Sequence, residues 1–336
     1  MTDLMDHQVK ENDGGDGDGR RGLPRLHRPL AYCAAAMGLL AATGVVGMAV
    51  DERTLLGEGV WLKPFKFAVS FGLYALTLAW MIGRTRAWRR TLRFLGTVTV
   101  VGFIAPEISI ITFQAVRGVR SHFNVSTTLD DLLVKAMGGA AYLGWGLTLV
   151  VGVLLMFQRR VDRPMAWAIP LGVFISLAGM SVGFLMTSPT PAQAEALDGG
   201  GSPGIVGAHT VGAPDGGPGM PLTGWATGAG DLRVAHFVGL HALQLVPLVA
   251  IGLGLLATRV PVLRDAAVRT ALVVVAALSH AGFAALLLWH ARRGLAPLDP
   301  DRALVAALAA LVVAVGVCVT AILLLGARRG RRACAV

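Results

Sequence analysis

Eight apolar runs divide the chain, at 29–50, 64–83, 94–115, 133–157, 165–187, 233–257, 268–291 and 303–326. A run of about 20 such residues is long enough to cross the hydrocarbon core as a helix, and lipid admits only backbones that satisfy their own hydrogen bonds. The recurring length is that of a helix, with no strand-like alternation. The sequence therefore predicts an all-α, polytopic membrane helix bundle with eight transmembrane helices. Composition agrees, since 54% of the residues are hydrophobic and only 15% are charged, which is too apolar for a soluble domain.

The basic residues set the orientation. With the N-terminus inside, the cytoplasmic segments carry Arg20, Arg21, Arg25 and Arg28, then Arg84 to Arg93, Arg159 to Arg163, Arg259 to Arg269 and Arg328 to Arg332. The longest outside segment is nearly free of Lys and Arg. The positive-inside rule gives N-in/C-in. The net charge of +10 sits in short loops between spans, so it marks topology, and no nucleic acid is expected as a partner. Arginine far outnumbers lysine, and Ala, Gly and Val abound, as in a GC-rich bacterial genome. The expected place is a bacterial cytoplasmic (inner) membrane, with the lipid bilayer as first partner. Cys33, Cys318 and Cys334 form no CxxC or disulfide framework.

The organisation follows. Residues 1–28 read as a disordered cytoplasmic tail and 29–187 as helices 1–5. Residues 188–232 form a Gly/Pro-rich extracytoplasmic loop with neither helix nor strand pattern, a connector or a lid. Residues 233–326 hold helices 6–8, and 327–336 a basic cytoplasmic tail. Leu62-Lys-Pro-Phe-Lys-Phe67 aligns with Leu232-Arg-Val-Ala-His-Phe237, which would make the bundle two parallel four-helix halves.

Chemistry concentrates at Gly230–Gln244. On a helix, Arg233, His236, His241 and Gln244 fall within an arc of about 140°. Polar groups at membrane depth are costly and mark function. Glu107 in helix 3 and His280 in helix 7 are expected in one layer with His241, and His236 and His290 in a second layer above. Lys63, Lys66, Arg117, Arg120 and Arg233 surround the outer mouth, with His122 close by, and suit an anionic ligand or lipid headgroup.

Three readings follow. In the leading one, His236, His241, His280 and His290 ligate a transition metal or haem iron. The five mouth cations then hold propionates, and Glu107 is the catalytic base beside a metal-bound water. In the second, Glu107 and the histidines relay protons in a transporter of a small solute. In the third, they are packing or partner-binding groups. No P-loop, GxSxG, HExxH or dinucleotide fingerprint assigns an enzyme class. In helix count and orientation the layout resembles haem A synthase. That family has haem-ligand histidines in both four-helix halves. Here the helical histidines lie in the second half, so no residue role carries across.

Overall fold

The computed structural model describes residues 26–158 and 162–333. The expected disordered tail lies outside these apart from Leu26, His27 and Arg28, and so does the end of the basic tail beyond Ala333. Helix α1 spans Arg28–Val50, and a two-residue hairpin of β1 (Thr54–Leu55) and β2 (Glu58–Gly59) leads into α2 (Leu62–Gly83). Helix α3 (Arg89–Val98), a π-helical turn (Thr99–Ile104) and α4 (Ala105–Arg117) run on as one span. Helices α5 (Thr128–Met156) and α6 (Arg163–Leu185) follow, then a short α7 (Pro191–Asp198). Strands β3 (Thr210–Val211) and β4 (Gly230–Asp231) pair antiparallel ahead of α8 (Leu232–Leu240) and α9 (Ala242–Leu256). A short 3-10 turn (Pro261–Arg264), α10 (Ala266–Arg292) and α11 (Arg302–Ala333) complete the chain.

Seven helices are long and apolar enough to cross a membrane, and the pair α8–α9, bent by 42°, passes the same test as one broken span. The chain is a multi-pass membrane protein. Its outer surface shows the consequence. Leu39, Val46, Leu132, Val312 and Val313 are more than half exposed, as side chains facing lipid are. Helix α11 continues to Ala333, so the described part of the basic tail extends the last helix.

One core joins α1, α2, the π turn, α4, α5 and α6 through Leu30, Met37, Ala75, Leu78, Phe103, Ile108, Val151 and Val173. A second joins α6, α9 and α10 through Ala168, Val246, Val273 and Ala277. Helix α6 thus stands between the two groups. At its crossing with α8 the backbones touch: a Cβ on Gly239 would come within 2.6 Å of Gly179 Cα. Only glycine permits that approach, as small residues do at membrane helix crossings.

Two spans are interrupted. Pro106 has no N–H to offer the preceding turn, and the chain takes up the difference as a π turn just before it. In the α8–α9 span the ladder breaks at His241. Side chains take two of the carbonyls there: His280 Nε2 donates to Val238 O at 2.7 Å and Ser176 Oγ to Leu240 O at 2.8 Å. Groups inserting into the ladder in this way bend helices.

The segment between α6 and α8 differs from its expected featureless state. Thr190 and Gln193 form a reciprocal capping box that starts α7. Further on, β3 and β4 pair Thr210 with Asp231, and an isolated bridge joins Asn124 to Ile205. The segment folds back over the end of the bundle as a roof.

Candidate functional site

Beneath this roof lies a cavity of about 640 Å³ lined by α2, α4, α5, α6, α8, the 119–123 loop and the roof itself. Phe71, Tyr74, Phe103, Tyr142 and Phe184 give it an aromatic wall, while Lys63, Glu107, His122, His209, Arg233 and His236 give it a polar end. A concave, largely apolar site with a few convergent polar groups is the usual form of a ligand pocket.

The helix starts build the polar end. Asp231 accepts from Arg233 N at 2.9 Å and so caps α8. Its carboxylate also takes the Arg233 guanidinium at 2.7 Å and the Ala226 amide at 2.7 Å. Arg233 reaches on to the roof at Gly224 O, 2.6 Å away. Lys66 does the same from α2, donating to Thr223 O at 2.7 Å and to Glu58 at 3.2 Å. Two cations thus pin the roof by its carbonyls. Gly224 has φ +64° and packs so closely on Glu58 that a Cβ there would overlap the carboxylate.

Other ionisable groups in the cavity have no such ties. Among the described residues, Lys63 has no hydrogen-bond or ion-pair partner; its Nζ stands 6.0 Å from the Phe67 ring centroid. Glu107 is 5% exposed and likewise has no protein partner among the described residues. Ionisable groups withdrawn from bulk water without partners are costly, so a pair of them facing one cavity points to a ligand or water there.

Three histidines share this end. His236 donates from Nδ1 to Gly179 O at 2.8 Å, at the helix crossing. His209 donates from Nδ1 to Asp215 Oδ2 at 2.8 Å. Asp215 is fixed in turn by the His209 and Thr210 amides and by Thr210 Oγ1 at 2.8 Å. His122 lies 3.1 Å from Ser121 Oγ through Nδ1. It is set by Phe123, whose φ of +66° is a conformation bulky residues seldom adopt. The buried Phe123 ring packs 4.9 Å from His209. Burial, then Lys63 and the neighbouring imidazoles, hold His122 well below the ordinary histidine value. Burial also lowers His209, against the pull of Asp215. For Asp215 burial works upward but is outweighed by the His209 and Thr210 bonds, and its carboxyl stays well below the usual range.

No protein-family model matches the chain, and no curated protein and no solved structure matches it.

The expected residues divide. Lys63, Lys66, Glu107, Arg120, Arg233 and His236 all line the cavity. Arg117 does not. It pairs with buried Asp130 at 2.6 Å beside Gln114, tying α4 to α5. His241 meets Gln244 at 3.3 Å, at the break of its span. His280 spends Nε2 on Val238 O, and His290 donates its Nε2 proton to Ala296 O at 3.0 Å. Neither His241 nor His280 lines the cavity with Glu107. His209 and Asp215 lie in the Gly/Pro-rich segment, where no helical or strand periodicity singles them out. Among the described residues no three His, Cys, Asp or Glu side chains group so as to hold a metal ion.

Proposed function

We propose that this membrane protein binds a small amphipathic molecule with an acidic head in the roofed cavity. The unpartnered Lys63 beside an aromatic wall carries the reading: the ammonium seeks an anion and the wall an apolar body. Arg120 lines the same cavity with no side-chain hydrogen-bond partner among the described residues and adds a second cation. We also propose that both termini are cytoplasmic, by the charge rule above, so that the roofed end faces out. Isothermal titration of dodecanoate into the protein, purified in a neutral detergent, tests the binding. Saturable one-to-one binding supports it; no heat beyond partitioning into micelles contradicts it.

Haem belongs to this ligand class, and the site fits it in part. His236 donates Nδ1 to a carbonyl, the support that iron-ligating histidines commonly receive, and lines the cavity with Lys63 and Arg120 for carboxylates. His241, His280 and His290 have other contacts. A Soret band in the purified protein that His236→Ala removes would select haem, and colourless protein would leave the wider class.

Transport is the second reading, favoured by one observation. The spans that carry Glu107 and His236 are the two that are interrupted, by the π turn and by the break at His241. Discontinuous helices at a binding site are a transporter feature. Proton-coupled flux abolished by Glu107→Gln would support it, and flux indifferent to that change would count against it.

A further inference from the structure

The polar end of the cavity holds His122 and His209 in addition to the residues that the reading above uses. We propose that Lys63, His122, His209 and His236 form a seat for the phosphate-monoester head of an amphiphile, a step that rests on the acidic-head reading.

All four residues line the cavity, and Lys63, His209 and His236 each act electrostatically on His122. Each imidazole already uses Nδ1 within the protein, against Ser121, Asp215 and Gly179. No Nε2 of the three has a protein partner among the described residues. For His209 and His236 the Nδ1 partner only accepts, so Nδ1 carries the hydrogen, and the Nε2 of the neutral ring offers a lone pair. His122 and His209 are held low enough to be neutral at pH 7. Lys63 only donates.

A fitting head must therefore accept from an ammonium and also bring hydrogen to imidazole nitrogens. A phosphate monoester does both. It has three terminal oxygens and a second ionisation near 6, so it still carries some proton at neutral pH. A carboxylate, with an ordinary value near 4, has two oxygens and no proton to give. Glu107 faces the same space and offers an anionic head no attraction, so the ammonium of Lys63 is required. The remaining cations of the roof contacts, Lys66 and Arg233, are already matched by Glu58 and Asp231. The alkyl part has Phe71, Phe103 and Phe184 to lie against.

The test is titration of the purified protein in neutral detergent with dodecyl phosphate, dodecanoate and inorganic phosphate. The expected order is dodecyl phosphate about tenfold or more tighter than dodecanoate, with inorganic phosphate weakest of the three. His209→Asn and His122→Gln should each cost about tenfold for dodecyl phosphate with little effect on dodecanoate, and Glu107→Gln should tighten it. Wild-type protein alone decides if a variant fails to fold. Equal affinity for the two amphiphiles overturns the phosphate seat and leaves the acidic-head reading standing. Inorganic phosphate binding as tightly as dodecyl phosphate overturns the amphiphile. Binding of neither amphiphile overturns both.

Discussion

His236 places its Nδ1 proton on the carbonyl oxygen of Gly179, 2.8 Å away, at the point where α6 and α8 come into backbone contact. The helix crossing and the orientation of a cavity residue are therefore one structure. Gly179→Ala would drive a Cβ into the Gly239–Leu240 backbone. The helices must separate, at a cost of about 3 kcal/mol by the usual penalty for overpacking. A lowered melting temperature in detergent, together with weakened ligand binding, is the expected result. Unchanged melting would contradict the crossing.

The roof is held by cations from two helix starts. Lys66→Met removes the bonds to Thr223 O and Glu58, and Arg233→Met those to Gly224 O and Asp231. Either change should speed limited proteolysis within 199–229 by about tenfold, since local opening governs cleavage. The double variant should be faster still.

Stability should fall with acid, and the sign follows from the two roof-side histidines. Burial keeps His122 and His209 below their ordinary value, so the folded protein binds fewer protons than the unfolded chain. Their penalty is absent above about pH 7 and grows as pH falls through about 6.5. Asp215 is held low, so its contribution is full above about pH 4 and is lost only as pH falls from there toward its folded value, outside the range in which the histidines act. Melting temperature against pH in detergent checks this. His122→Gln should flatten the slope between about pH 7 and pH 5.5.

His280 and Arg117 act in the frame. His280→Ala strips Val238 O of its donor and should cost about 1–3 kcal/mol while leaving ligand affinity unchanged. Arg117→Met leaves buried Asp130 with Gln114 and Thr127 but no cation. A loss of similar size is expected, again without an effect on binding. Thermal unfolding alongside titration separates these from cavity residues. A loss of affinity in either variant would return it to the site.

Most of the helical frame was legible because lipid imposes a length that a sequence displays directly, and all eight apolar runs coincide with helices of the fold. Lys63, Lys66, Glu107, Arg233 and His236 were legible as polar residues on apolar helices. Depth alone could not tell which way a side chain turns. Helical rise groups His241 and His280 with Glu107, yet the break at His241 frees carbonyls that His280 and Ser176 take. Pro247 lies six residues on, and no local signal places a break at His241. The roof was illegible for a different reason. Its order comes from Asp215, Asp231 and Arg233 holding backbone groups within the segment and from Lys66 reaching Thr223 from a distant helix, with no periodicity to show it. The Thr190–Gln193 capping box that begins α7 was the one local signal present.

The central claim is that an acidic head meets Lys63 in the roofed cavity, and titration of dodecanoate into wild type, Lys63→Met and Lys63→Arg tests it most directly. The account predicts saturable binding to wild type, a loss of about tenfold or more in Lys63→Met, and substantial recovery in Lys63→Arg, all with similar melting temperatures. Equal affinity in wild type and Lys63→Met would contradict it.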